Sequence, residues 1–81
     1  MKVTVTKKES VSPVYIGTDY IKLQDAMKLA NLVLSGGEAK VLIQDGQVEV
    51  NGAVCTMRGK KLCPGDTFRF QGKTCRIEKQ V

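Results

Sequence analysis

The chain has 81 residues, enough for one domain and not for two, and a domain this short buries only a modest core. An apolar share of 42% argues against a disordered chain, and the longest apolar stretch, residues 29–34, is far too short to cross a bilayer. The net charge of +5 is unevenly placed: the first 57 residues carry six basic and six acidic side chains, the last 24 carry seven and two. Such asymmetry suits an anionic partner, either nucleic acid or a membrane surface, and equally a solvated basic face.

Taken in chain order, Val3 and Val5 alternate with threonines and predict a short strand. Residues 10–13 read as a loop ending at Pro13, and 14–21 as extended chain. The first helix is expected from Lys22 to Val33, because Leu23, Ala26, Met27, Ala30 and Val33 recur at three- and four-residue steps. The second helix has a clearer start. Ser35 and Glu38 make the capping-box pattern, in which the serine takes the amide three residues on and the glutamate reaches back. Ala39, Leu42 and Ile43 form its core face, and Gly46 is its stop.

The remainder reads as strands. Val48 and Val50 alternate with Glu49, and Asn51-Gly52 is a hairpin turn leading into Ala53-Val54. Pro64-Gly65-Asp66 is a second turn. Phe68 and Phe70 share one strand face and belong to the core; Gln71-Gly72 turns the chain into a last strand carrying Cys75 and Ile77. The fold class is α+β: one domain, 1–81, with two helices packed on one side of a small, twisted, mostly antiparallel sheet.

Little here suggests catalysis. Cys55, Cys63 and Cys75 are an odd set with irregular spacing, which is no disulfide framework. Histidine is absent, so neither a zinc site nor a cysteine with its base is expected, and no cofactor is implied. The first six residues hold no apolar signal segment. Free thiols and the absence of a signal predict a cytoplasmic protein.

Residues 35–52 form one ordered unit: Ser35, three residues, Ala39, two residues, Leu42-Ile43, two residues, Gly46, then Val48 and Val50-Asn51-Gly52. This pattern resembles the RNA-binding domain named after ribosomal protein S-four, also called the αL RNA-binding motif. The resemblance covers about residues 20–70 and extends to Pro64-Gly65-Asp66. Ser35-Gly36-Gly37-Glu38-Ala39-Lys40 and Arg58-Gly59-Lys60-Lys61-Leu62 look like the marked segments of the small stand-alone bacterial members of the YaaA/YbcJ type. The resemblance implies binding of structured RNA, often in a ribosomal context, and a basic loop set beside the second helix. The chain departs from many members at Gly36, where they carry a basic residue.

The residues support the same reading. Gly36, Lys40 and Gln44 lie four apart and form one helical stripe. Beside Ser35, glycines 36 and 37 expose amides at the positive end of a helix, where a phosphate is favoured. The bland alternative is that both glycines only permit a tight turn between the helices. Arg58, Lys60 and Lys61 add three charges in a loop that would otherwise be merely solvated. The expected site is therefore Ser35, Gly36, Gly37, Lys40, Gln44, Arg58, Lys60 and Lys61, with RNA as partner and the protein a monomer.

Two rivals remain. A ubiquitin-like sulfur carrier shares the Val-Asn-Gly and Gly-Asp turns, but acts through a terminal Gly-Gly, whereas this sequence ends Glu78-Lys79-Gln80-Val81. A ribosome-associated adaptor that touches protein more than RNA stays open.

Overall fold

The computed structural model describes residues 11–80, so the strand expected at Val3 and Val5 lies outside the described residues. The elements are β1 (Val11–Ile16), β2 (Ile21–Lys22), α1 (Leu23–Leu29), α2 (Gly36–Gln44), β3 (Val48–Val50), β4 (Ala53–Val54), β5 (Lys61–Leu62), β6 (Thr67–Phe70) and β7 (Lys73–Lys79). Five strands form one sheet in the order β1-β7-β6-β3-β4, and β2 with β5 forms a separate pair. The ladders β3–β4, β3–β6 and β6–β7 are antiparallel, while β1 joins β7 in parallel with Val14 opposite Ile77.

The first strand corrects the sequence reading. It begins at Val11 and runs through Pro13, where a loop is expected, and the chain bends over 17–20 before β2. Proline supplies no ladder donor, but among the described strands β1 is at the edge of the sheet and pairs only with β7, a position that tolerates it.

Helix α1 is four residues shorter at its end than the apolar stripe predicts. Asn31 takes the left-handed conformation, φ 60°. Its amide donates to the Lys28 carbonyl at 3.0 Å and that of Leu32 to the Met27 carbonyl at 3.0 Å, which closes the helix in a Schellman arrangement. Val33 still reaches the core, but from the connecting loop. Helix α2 begins as the sequence indicates. Ser35 is extended and its Oγ accepts the Glu38 amide at 3.2 Å. The Glu38 carboxylate reaches one residue further back than the usual box, accepting from the Leu34 amide at 2.9 Å. Gly46, at φ 79°, closes α2 by the same C-terminal device, its amide on the Ile43 carbonyl and that of Gln47 on Leu42.

Alternation decides which sheet face is covered. Val14 and Ile16, Val48 and Val50, Phe68 and Phe70, and Cys75 and Ile77 are all buried. They form one core with Leu23, Ala26 and Met27 of α1 and Ala39 and Ile43 of α2. Both phenylalanines are therefore core residues. Each is among the largest contributions, since full burial of such a side chain is worth about 1.5–3 kcal/mol. Asn51 and Gly52, both at positive φ, make the two-residue turn from β3 to β4.

Candidate nucleic-acid interface

The start of α2 leaves two backbone donors unused. The Glu38 amide is taken by Ser35 Oγ and that of Ala39 by the Ser35 carbonyl at 3.1 Å, while no described acceptor takes those of Gly36 and Gly37. Neither glycine has a positive φ. A Cβ added at Gly36 would meet nothing within 4 Å, and one at Gly37 only Ser35 Oγ at 3.8 Å. The interhelical turn therefore does not require glycine at either position. What the two glycines do provide is a bare approach to amides at the positive end of a helix dipole. Lys40 and Gln44 continue from Gly36 along one stripe; both are exposed and Gly36 is half-buried.

The basic loop is built from backbone hydrogen bonds. The Lys60 amide donates to the Met57 carbonyl at 3.1 Å and closes a tight turn over Arg58 and Gly59. Lys61 lies just past the loop, as the first residue of β5. The loop also caps a helix. Lys22, the residue before α1, supplies no side-chain cap, and the Leu23 and Gln24 amides donate instead to the carbonyls of Lys60 (2.9 Å) and Arg58 (3.1 Å). The described hydrogen bonds of the loop thus run to α1 and not to α2. Upstream of the loop, Val54 passes the far end of α2: a Cβ on Gly46 would lie 3.7 Å from Val54 Cγ1. Gly46 is about 15 Å from Gly36 along the helix axis. The basic loop is thus seated against the start of α1, and Lys40 lies on α2 one turn past its bare amides.

Their charges are uncommitted. Among the described residues, ion pairs join Lys28 to Asp25, Arg76 to Glu78 and Lys79 to Asp19, and none involves Lys40, Arg58, Lys60 or Lys61. Ser35, Gly37, Arg58, Lys60 and Lys61 are all exposed. Lys61 has one aromatic contact, its Nζ lying 4.9 Å from the centroid of the Tyr20 ring. The sequence gives no hint of this neighbour, because it depends on the pairing of β2 with β5, Ile21 opposite Leu62. Strands of two residues carry no alternation to read.

The thiols are free: Cys63 is exposed, Cys55 half-buried and Cys75 buried. Burial pushes the Cys75 thiol above its ordinary value of 9.0, with Lys73 pulling weakly the other way. Among the described residues no cluster of acidic or thiol groups is suited to a metal ion, and no helix is long and apolar enough to cross a membrane.

Comparison with known proteins agrees with this architecture. YbcJ of Escherichia coli (strain K12) is 38% identical over 58 residues, which is 72% of this chain and 83% of that protein. RlbA of Bacillus subtilis (strain 168), named as a probable ribosome maturation protein, is 38% identical over 61 residues, 75% of this chain and 86% of that one. The solution structure of E. coli YbcJ, described as revealing an αL motif involved in RNA binding, superposes with a TM-score of 0.67 at 30% identity. That superposition covers 94% of this chain and 98% of YbcJ. The S4 domain matches residues 14–78, nearly all of the described fold. The chain belongs to the S4 domain family.

Proposed function

We propose that this chain is a cytoplasmic, monomeric, single-domain RNA-binding module without catalytic activity. It holds structured RNA, ribosomal RNA or a close analogue, through Ser35, Gly36, Gly37, Lys40, Gln44, Arg58, Lys60 and Lys61. The observation that carries this reading is the set of four cations without carboxylate partners among the described residues, together with two amides at the start of α2 that no described acceptor takes. A surface whose charges are not neutralised internally is suited to phosphate, whose counterions are released on binding. Arg58 offers a planar fork to one phosphate, and the lysines act as point charges. The RNA-binding description of YbcJ and the ribosomal name of RlbA point the same way.

In-cell crosslinking followed by sequencing of the bound RNA tests the proposal. Enrichment of structured RNA, ribosomal RNA foremost, is expected; recovery of the protein free of RNA overturns it. A second reading, a ribosome-associated protein adaptor, has one observation in its favour: Leu34, just before the Ser35 cap of α2, is 96% exposed. Pulldown from ribonuclease-treated lysate separates the two, since an adaptor keeps its partners and an RNA binder loses them.

A further inference from the structure

Beside the basic loop lies a cavity of about 350 Å³ whose walls include Val54, Thr56, Met57 and Lys60. We infer that it is a receptor for one unpaired nucleobase of the bound RNA, an inference that rests on the RNA-binding reading above and names the class of RNA that reading leaves open.

Three features of the cavity select this occupant. The first is an apolar wall. Met57 and Val54 are 63% and 61% exposed, left open by the described residues. An unstacked base has apolar faces that seek such cover, and the Met57 thioether is soft and adaptable against an aromatic ring.

The second is an open backbone edge. β4 is the last strand of the sheet. In its antiparallel ladder with β3, Val54 stands opposite Glu49 and the Cys55 amide donates to the Val48 carbonyl at 2.9 Å. Bonded and non-bonded pairs alternate along such a ladder, so the amide and carbonyl of Val54 point away from β3. No described hydrogen bond uses either group. A donor and an acceptor side by side match the Watson–Crick edge of a base, an edge that is free only when the nucleotide is unpaired. A strand of two residues is a poor template for an added protein strand, which disfavours that occupant.

The third is charge. Among the described residues no acidic side chain lines the cavity, and Lys60 does, with Arg58 and Lys61 close by in sequence. The nucleotide's own phosphate would meet Lys60 as its base entered. Asn51 also borders the cavity, but its carboxamide is already spent on Asp66 and Thr67. The hydroxyl of Thr56 has no described partner and is left for the base or its ribose.

The test compares two RNAs, a fully paired stem and the same stem with one bulged nucleotide, titrated against wild type and Met57→Ala. Met57 is exposed and only its backbone carbonyl serves the fold, so the variant keeps its melting temperature. Wild type is expected to prefer the bulged stem by about tenfold. Met57→Ala should remove most of that preference and leave binding of the paired stem unchanged. Equal wild-type affinity for both stems overturns the inference while the RNA-binding reading stands, and so does a preference that survives in Met57→Ala. A wild type that binds neither stem overturns both.

Discussion

The Asn51 carboxamide donates to the Asp66 carboxylate at 3.2 Å, across 15 residues of chain. The bond joins two turns. Asn51 opens the β3–β4 hairpin, and its Oδ1 also accepts the Thr67 amide at 3.0 Å. Asp66 closes the turn over Pro64 and Gly65, and its second oxygen accepts the Cys63 amide at 2.8 Å. Val-Asn-Gly and Pro-Gly-Asp, which look like separate pieces of the sequence pattern, are two halves of one joint. That joint fixes both ends of the segment that carries β4, the basic loop and β5.

Asp66→Ala should therefore destabilise the fold although Asp66 is not among the proposed RNA contacts. It strands the Asn51 and Cys63 donors, and losing such partners costs about 1–3 kcal/mol, toward the lower end here because the groups are partly wet. Urea denaturation should show a lower midpoint with an unchanged slope. A loss below about 0.5 kcal/mol would show that water replaces the carboxylate at no cost.

Removing the loop charges should spare the fold and weaken RNA. Lys60 and Lys61 are exposed, their backbone bonds survive the change and only the contact of Lys61 with Tyr20 is lost, so the double alanine variant should stay within about 1 kcal/mol of wild type. With a few phosphates contacted, log affinity should fall with log salt at a slope of about 2–4, and the variant should reduce that slope by about 2. Unaltered affinity and slope in a folded variant would mark the loop as a solvated surface only.

Cys75 predicts an alkaline weakness. Burial raises its thiol above 9.0, so the unfolded chain releases this proton before the folded one does. The stability tied to the neutral thiol is complete below pH 9.0 and declines as pH rises from there through the folded-state value. The urea midpoint should hold steady from about pH 7 to 9 and then drop. Cys75→Ala starts lower, because it leaves a void in the core, but should drop less steeply. Parallel declines in the two proteins would remove the thiol from the account.

Some of this molecule is legible from its sequence. Capping by Ser35, the turns at Asn51-Gly52 and Gln71-Gly72, the core phenylalanines and the α+β layering follow from short-range rules, and the structure shows them. Two boundaries do not follow. Pro13 marks a loop locally, yet an edge position in the sheet accepts it; the stripe from Leu23 runs on to Val33, yet Asn31 ends the helix first. In both cases tertiary context overrides a local signal. The candidate site divides in the same way. Ser35, Lys40 and Gln44 are placed by helical spacing alone. The seat of Arg58 and Lys60 against α1, and the approach of Lys61 to Tyr20, depend on backbone bonds across about forty residues that no periodicity encodes.

The sharpest test of the α2 site lies at Gly36. Open space around a Cβ and an ordinary φ mean that the position tolerates a side chain. Gly36→Ala should then be neutral or stabilising by up to about 1 kcal/mol, since alanine restricts the unfolded chain and favours the helix. Stability alone would thus favour alanine, and the bare amide must be explained by something other than the fold. Gly36→Glu should likewise melt near wild type, because an acidic residue suits the first turn of a helix. It should still weaken RNA binding strongly, by repelling phosphate and covering the amides of Gly36 and Gly37. Ser35→Asp provides a control with the cap retained: aspartate replaces serine well at this position, so melting is preserved while the added charge opposes RNA. Thermal melts and RNA titrations on the three variants decide the matter. A Gly36→Glu protein that melts and binds RNA as wild type does would place the start of α2 outside the interface and leave the basic loop to carry it alone.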